Sequence, residues 1–210
     1  RSASAFTAAA TTAPAILMLV DLVGFIRVTS TTTTGNQNII NTVTQSRYQD
    51  GAGLQAFMWA NNPTPLGAGT PNLSITYTSS AGLTSRTTPS TLPVGKTAAA
   101  NGLILYSGTG VGKYGPFLPL TGSDTGIKQI SQVNLSATYT SGEFSIGLCR
   151  PLLTMPITTL GVASERDLMN QVPSLPRVQD DACLIWLLYN GAATPINSAF
   201  YGHLDFAWGG

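Results

Sequence analysis

Residues 73–77, Leu73-Ser74-Ile75-Thr76-Tyr77, and residues 130–136, Ile130-Ser131-Gln132-Val133-Asn134-Leu135-Ser136, alternate apolar and polar side chains without a break. Successive side chains on an extended chain point to opposite faces, so the first segment puts Leu73, Ile75 and Tyr77 on one side. A period of two fits a half-buried strand and does not fit a helix. Working outward, the same alternation and the Gly, Pro and Asn punctuation mark strands at 16–28, 54–60, 103–107, 127–139, 143–149, 183–189 and 200–208. Gly24 interrupts the first of these as a bulge or bend. Asn61-Asn62-Pro63-Thr64-Pro65 and Ser80-Ala81-Gly82 carry turn chemistry, and Ser141-Gly142 between Tyr139 and Phe144 predicts a tight hairpin.

One short helix is expected over 164–171. Ser164 would cap it, Asp167 would answer three residues on, and Pro173 would stop it. Residues 1–13, Ala, Ser and Thr with one aromatic, hold too little apolar pattern to fold alone and read as an extended N-terminal arm. Residues 14–210 read as a single domain. About eight strands with long, Pro-rich crossings predict an all-β, two-sheet β-sandwich, in particular a jelly roll, rather than an up-and-down barrel with short, even links.

Composition sets the limits on function. Lys and Arg number 10 and Asp and Glu 9, so charged residues are 9% of the 210, against roughly 25% in an average soluble domain. Thr, Ser and Gly together make about a third of the chain. Hydrophobic residues are still 43%, which excludes the disordered class. No Lys or Arg cluster offers phosphates a footprint, so nucleic acid is not an expected partner. The apolar run Ala15–Val20 ends at Asp21, far short of the roughly 20 residues that cross a bilayer. A signal peptide is not expected either, since no basic region beyond Arg1 precedes that run. Cys149 and Cys183 lie in apolar runs and read as buried free thiols, with one disulfide as the alternative.

Motifs that carry chemistry are weak. His203, the sole histidine, and Asp205 would share a strand face, but a triad also needs a nucleophile, and no serine sits in a nucleophile elbow. The plain alternative is a histidine at a sheet surface or subunit contact. The loop 108–114 does not meet the phosphate-loop pattern, since Ser107 stands six places before Lys113 where a glycine is required, and Tyr114 follows it where Ser or Thr is required. Asp21, Asp50, Glu143 and Asp205 could supply a converging acid pair, although nothing in their spacing shows it. Asp180-Asp181 point to opposite faces of an extended chain and read as a solvated turn. The sequons at Asn72 and Asn134 fall inside predicted strands. No metal or cofactor is implied. Trp59, Trp186 and Trp208 read as core. Tyr114 and Phe117 occupy a Gly- and Pro-rich loop, where aromatics serve either as interface anchors or as a tuck onto their own domain.

Gly51-Ala52-Gly53, Pro65-Leu66-Gly67-Ala68-Gly69-Thr70-Pro71, the loop 108–119 and the closing Ala199-Phe200-Tyr201-Gly202-His203, taken with the neutral Thr/Gly/Ala-rich composition, resemble the jelly-roll head decoration (cement) proteins of tailed bacteriophages. The likeness is one of style over most of the chain. It implies a small homo-oligomer, a trimer by preference, bound to the capsid shell protein on the outer surface of the head, where it bridges neighbouring shell subunits without catalysis. The arm 1–13 would reach across the shell, so its deletion should weaken attachment and leave the domain folded. Arg1, Phe6, Tyr48, Tyr114 and Phe117 are the interface candidates this implies. Two other readings stay open. One is a glycan- or receptor-binding domain of a phage fibre or tail, with Tyr48, Tyr114 or Phe117 stacked on sugar. The other is a shell-forming jelly-roll coat protein.

Overall fold

The computed structural model describes residues 2–7, 14–28, 34–38, 47–61, 66–67, 69, 71–89, 102–104, 116–159, 161–167, 177–190 and 200–206. Within them the chain is all-β, as the alternation predicts. Eleven strands run in the order β1 Ser2–Thr7, β2 Ala15–Val28, β3 Gly35–Asn38, β4 Gln55–Ala60, β5 Leu73–Ser79, β6 Arg86–Thr87, β7 Ile127–Leu135, β8 Phe144–Ile157, β9 Ser164–Asp167, β10 Leu184–Asn190 and β11 Phe200–Leu204. They form three sheets, of order β11-β1-β9, β10-β2-β8-β4 and β3-β7-β5-β6. The chain divides into two compact units, residues 1–20 with 152–210 and residues 21–151, where the sequence reading has a single domain over 14–210.

The larger unit is a β-sandwich. Leu73, Ile75 and Tyr77 from β5, together with Ile127, Ile130, Val133 and Leu135 from β7, meet Ala56 and Met58 from β4, Phe144, Ile146 and Leu148 from β8, and Ile26 and Val28 from β2. The face read from 73–77 is therefore the face that is buried, and Ile75 and Tyr77 have no exposed surface at all. The pairing of β5 with β7 slips between Thr76 and Tyr77 and again between Thr78 and Ser79. Such bulges bend the strand and increase its local twist.

The smaller unit has a separate core of Ala3 and Ala5 from β1, Leu17 and Leu19 from β2, and Leu153, Met155 and Ile157 from β8. Leu184, Leu188, Phe200 and Leu204 pack on it. Two sequence expectations fall here. Ser2–Thr7, assigned to a free arm, is the central strand of the three-stranded sheet and pairs with both β9 and β11. Its alanines are what make this possible, because Ala3 and Ala5 are small enough to let the sheet lie close on the core. Ser164–Asp167, assigned to a helix, is β9. Its backbone is engaged by β1 over Ser164, Glu165 and Arg166, and one capping pair with no apolar stripe cannot compete with a strand partner. Residues 168–171 of that expected helix lie outside the described residues.

Two further corrections concern the larger unit and the thiols. Ser141-Gly142 does not close a hairpin. β7 and β8 belong to different sheets, and the link between them tucks Tyr139 into the core against Phe144, ring centroids 6.3 Å apart. Cys149 is buried as expected but Cys183 is exposed, and both are free thiols. No described helix is long and apolar enough to cross a membrane.

Two outcomes test this architecture. Ile75→Ala should destabilise the protein by about 2–5 kcal/mol, the usual cost of emptying a filled core site, measured by urea unfolding. Deleting residues 1–7 should lower the thermal midpoint and reduce the β signal in circular dichroism, because β9 and β11 lose their shared partner. An unchanged melting curve would contradict the placing of β1.

Candidate functional site

The four carboxylates that could have converged each have a separate partner. Asp21, fully buried, receives a fork from Arg47, with Nη2 to Oδ1 at 2.8 Å and Nε to Oδ2 at 3.0 Å. Arg47 also donates to the Leu22 carbonyl at 3.1 Å. Glu143 accepts from Arg27, whose Nε lies 2.7 Å from Oε2. Asp50 accepts from the Ala52 amide at 3.1 Å. Asp205 lies 3.8 Å from His203 Nε2. Among the described residues no group of three or more His, Cys, Asp or Glu is placed to hold a metal ion.

His203 does meet a serine that the sequence could not nominate. β1 pairs with β11 so that Ser4 stands opposite His203, and Ser4 Oγ lies 2.9 Å from Nδ1. Ser4, His203 and Asp205 thus follow one another in the order of a triad. The acid, however, sits beyond hydrogen-bond distance of the ring, and the His203 and Asp205 side chains are 62% and 58% exposed. An imidazole open to water in this way is a surface residue hydrogen-bonded across the strand pair. Asp180 and Asp181 form the expected turn before β10, with the Ala182 amide donating to the Gln179 carbonyl.

The aromatic candidates divide. Tyr48 is half-buried, holds the left-handed backbone conformation at φ 51°, and packs against the larger core with Arg150 over its ring at 5.2 Å. Burial, with the Asp21 charge behind it, raises its phenol pKa. It is an internal prop for residues 47–53. Phe117 is half-buried and bridges to Phe57, and the next residue, Leu118, donates its amide to the Ala56 carbonyl at 2.8 Å. Its segment lies along β4, so it tucks back onto its own unit. Phe6 stands opposite Tyr201 in the β1–β11 pairing. Arg1, Tyr114 and Trp208 lie outside the described residues. Trp59 and Trp186 correct the reading of tryptophans as core, since Trp59 is half-buried and Trp186 is 43% exposed.

Among the described residues each unit has an open surface on a strand of the β10-β2-β8-β4 sheet. In the smaller unit, β10 is the end strand of its sheet among the described residues. Its sequence Leu-Ile-Trp-Leu-Leu-Tyr-Asn carries no charge, and among its described side chains only Leu187 is buried. Edge strands are ordinarily guarded by Lys, Pro or a bulge, and this one has no Lys or Pro. In the larger unit, the face of the β2-β8-β4 sheet turned away from the core carries Phe25, 55% exposed, in edge contact with Trp59 at 5.8 Å. Trp59 stacks on Phe57 at 5.2 Å. Sequence reasoning missed both surfaces because apolar strand residues look alike whether a sheet covers them or not.

No protein-family model, curated protein or solved structure matches this chain. Its functional reading therefore rests on its own residues.

Two polar clusters set how the larger unit responds to mutation and pH. Arg47→Met leaves the buried Asp21 charge without its partner and should cost about 3–5 kcal/mol by urea unfolding. The paired change Asp21→Leu with Arg47→Met should recover much of that loss, since two apolar groups need no desolvation. Around Asp124, Tyr77 donates its hydroxyl to Oδ2 at 2.6 Å, Arg86 donates to the same oxygen at 2.9 Å, and the Thr121 amide donates to the Tyr77 oxygen. The Tyr77 hydroxyl, then Arg86, hold the Asp124 carboxyl below its ordinary range. Burial raises Tyr77, Tyr139 and the Cys149 thiol, with hydrogen bonding to Asp124 adding to it at Tyr77 and the Asp21 charge at Cys149. A folded pKa above the unfolded one keeps stability whole below the unfolded value, roughly pH 8.5–10 for thiols and phenols. That stability is then lost as pH rises. The urea midpoint should hold near neutral pH and fall through pH 9–11, with phenol absorbance at these tyrosines rising only as the chain unfolds. A midpoint that stays flat to pH 11 would contradict the burial of these groups.

Proposed function

We propose that this chain is a structural subunit of a virus particle that decorates and stabilises an icosahedral capsid by bridging neighbouring shell subunits, without catalysis of its own. The observation that carries the reading is β10, an uncharged, half-exposed edge strand centred on Trp186. Such an edge in a free monomer invites uncontrolled pairing, so a strand of this kind calls for a dedicated protein partner. The near-neutral, sparsely charged chain supports the same reading. Copies crowded on a shell repel one another little when they carry net charge +1. The binding mode would be strand addition, in which backbone hydrogen bonds supply affinity and alternate side chains supply specificity. The commitment of Asp21, Glu143 and Asp50 to structural partners fits a subunit whose task is contact.

The test is density-gradient sedimentation of native particles, with copy number by quantitative mass spectrometry. The chain should run with megadalton particles in hundreds of copies, and mild denaturant should release it while shells stay intact. Trp186→Lys should leave the circular dichroism spectrum unchanged and abolish reattachment to stripped shells. A handful of copies per particle, or reattachment of the Lys variant at full level, would overturn the proposal.

A further inference from the structure

The face of β2-β8-β4 turned away from the larger core has an organisation that core packing does not require. On β8, Ser145 and Gly147 are the small residues between two aromatic strands, and their partners on β4 are Trp59 and Phe57 in register. Phe25 on β2 and Trp59 on β4 flank β8 on either side, so their strands lie two strand spacings apart, roughly 9.5 Å. Their rings nevertheless meet at 5.8 Å, which they can do only by leaning inward over the small β8 residues. A Cβ on Gly147 would stand 2.7 Å from both the Phe57 and the Trp59 rings. Glycine there is what lets the two rings lie against the sheet.

Beside this aromatic row stand three polar residues, one on β2 two positions on and therefore on the same face, and two at the strand ends, just past β4 and just before β8. These are Arg27 after Phe25, Asn61 after Trp59 and Glu143 before Ser145. They are already organised. Arg27 donates to Glu143, the Glu143 carbonyl accepts from the Asn61 amide at 2.8 Å, and Ser145 Oγ donates to Asn61 Oδ1 at 2.9 Å. The Arg27 and Glu143 side chains remain 68% and 41% exposed, and Phe25 is 55% exposed.

We propose that this face is a carbohydrate-binding platform for neutral hexopyranose chains, with the exposed Phe25 ring stacking on the apolar face of a sugar ring, Trp59 holding the Phe25 ring by its edge contact at an interplanar angle of 61°, and Arg27, Glu143 and Asn61 engaging the sugar hydroxyls. A pyranose presents an apolar C–H face bordered by groups that both donate and accept. That matches an aromatic surface beside one fixed donor, one fixed acceptor and one amide. The two rival ligand classes fit less well. The core of a protein–protein contact is depleted of charge, whereas here an ion pair abuts the central aromatics. Nucleic acid needs unneutralised cations, and Arg27 is spent on Glu143. The inference does not rest on the capsid reading, and its residues are distinct from β10.

The experiment uses the full chain with maltohexaose, cellohexaose and N-acetylchitohexaose as probes, followed by saturation-transfer NMR and isothermal titration to about 10 mM. At least one probe should bind, with saturation transferred chiefly to ring C–H protons. Phe25→Ser, a change at an exposed position, should weaken that binding about tenfold or more, the loss expected when one stacking ring goes. It should leave the circular dichroism spectrum and sedimentation coefficient unchanged. Arg27→Gln should weaken binding by a smaller factor and alter the ranking of the three probes. Binding of none of the probes, equal binding by the Phe25→Ser variant, or a fall in oligomer size on Phe25→Ser would each overturn the proposal. The last would assign the face to contacts between copies.

Discussion

The fourteen residues of β8 have to serve two cores at once. Phe144, Ile146 and Leu148 enter the core of the larger unit, and Leu153, Met155 and Ile157 enter that of the smaller. β2 does the same with Ile26 and Val28 for one and Leu17 and Leu19 for the other. In both strands the set of core-facing positions changes parity along the way. A strand's side chains alternate strictly, so a slip of one residue would turn every one of these groups out of its core. That double demand fixes the register of the long strands more tightly than either core could alone, and it constrains what the remaining face of each strand can carry. In β8 that face includes Ser145 and Gly147, small residues that stand opposite Trp59 and Phe57 of β4.

Two sets of polar groups inside the larger unit are closed. Asp21 is matched by Nε and Nη2 of Arg47, and the Tyr77 hydroxyl donates to Asp124 while accepting from the Thr121 amide. Such sets cost little when complete and much when broken. They fasten non-strand segments to the sandwich. Arg47 secures the stretch that turns through Tyr48 to Gly51, and Asp124 with Arg86 secures residues 121–124 beside β5 and β6. Gly51 belongs to the same stretch. A side chain there would stand 2.6 Å from the Lys128 backbone, and its φ of 73° is one that side chains disfavour.

Much of the strand content was legible before any coordinates. Leu73-Ser74-Ile75-Thr76-Tyr77 and Ile130–Leu135 form neighbouring strands with their apolar members inward, because alternation is a local property that survives into the fold. The failures share one cause, dependence on a distant partner. Ser2–Thr7 has almost no apolar signal, yet it is a central strand because β9 and β11 lie more than 150 residues away in sequence and close on either side. Ser164–Asp167 looked like a helix start until β1 claimed its backbone. Ser141-Gly142 looked like a hairpin, although Tyr139 and Phe144 lead to different sheets. For the surfaces, Trp59 and Trp186 sat in strands that were found, but nothing local tells a covered strand face from an open one.

By itself, then, the sequence determined the class. Period-two patterning, scarce charge and abundant Thr and Gly leave an all-β protein, since each of these acts residue by residue on the backbone and on its hydration. The tertiary structure alone decided which strands are neighbours, that the apolar residues divide into two cores, and that Asp21 finds Arg47 and Ser4 finds His203. It also decided which aromatics stay open, leaving Phe25 and Trp186 exposed while Tyr48 and Phe117 turn inward. Those outcomes depend on contacts between residues far apart in the chain, and their energies do not exist until the chain has closed on itself.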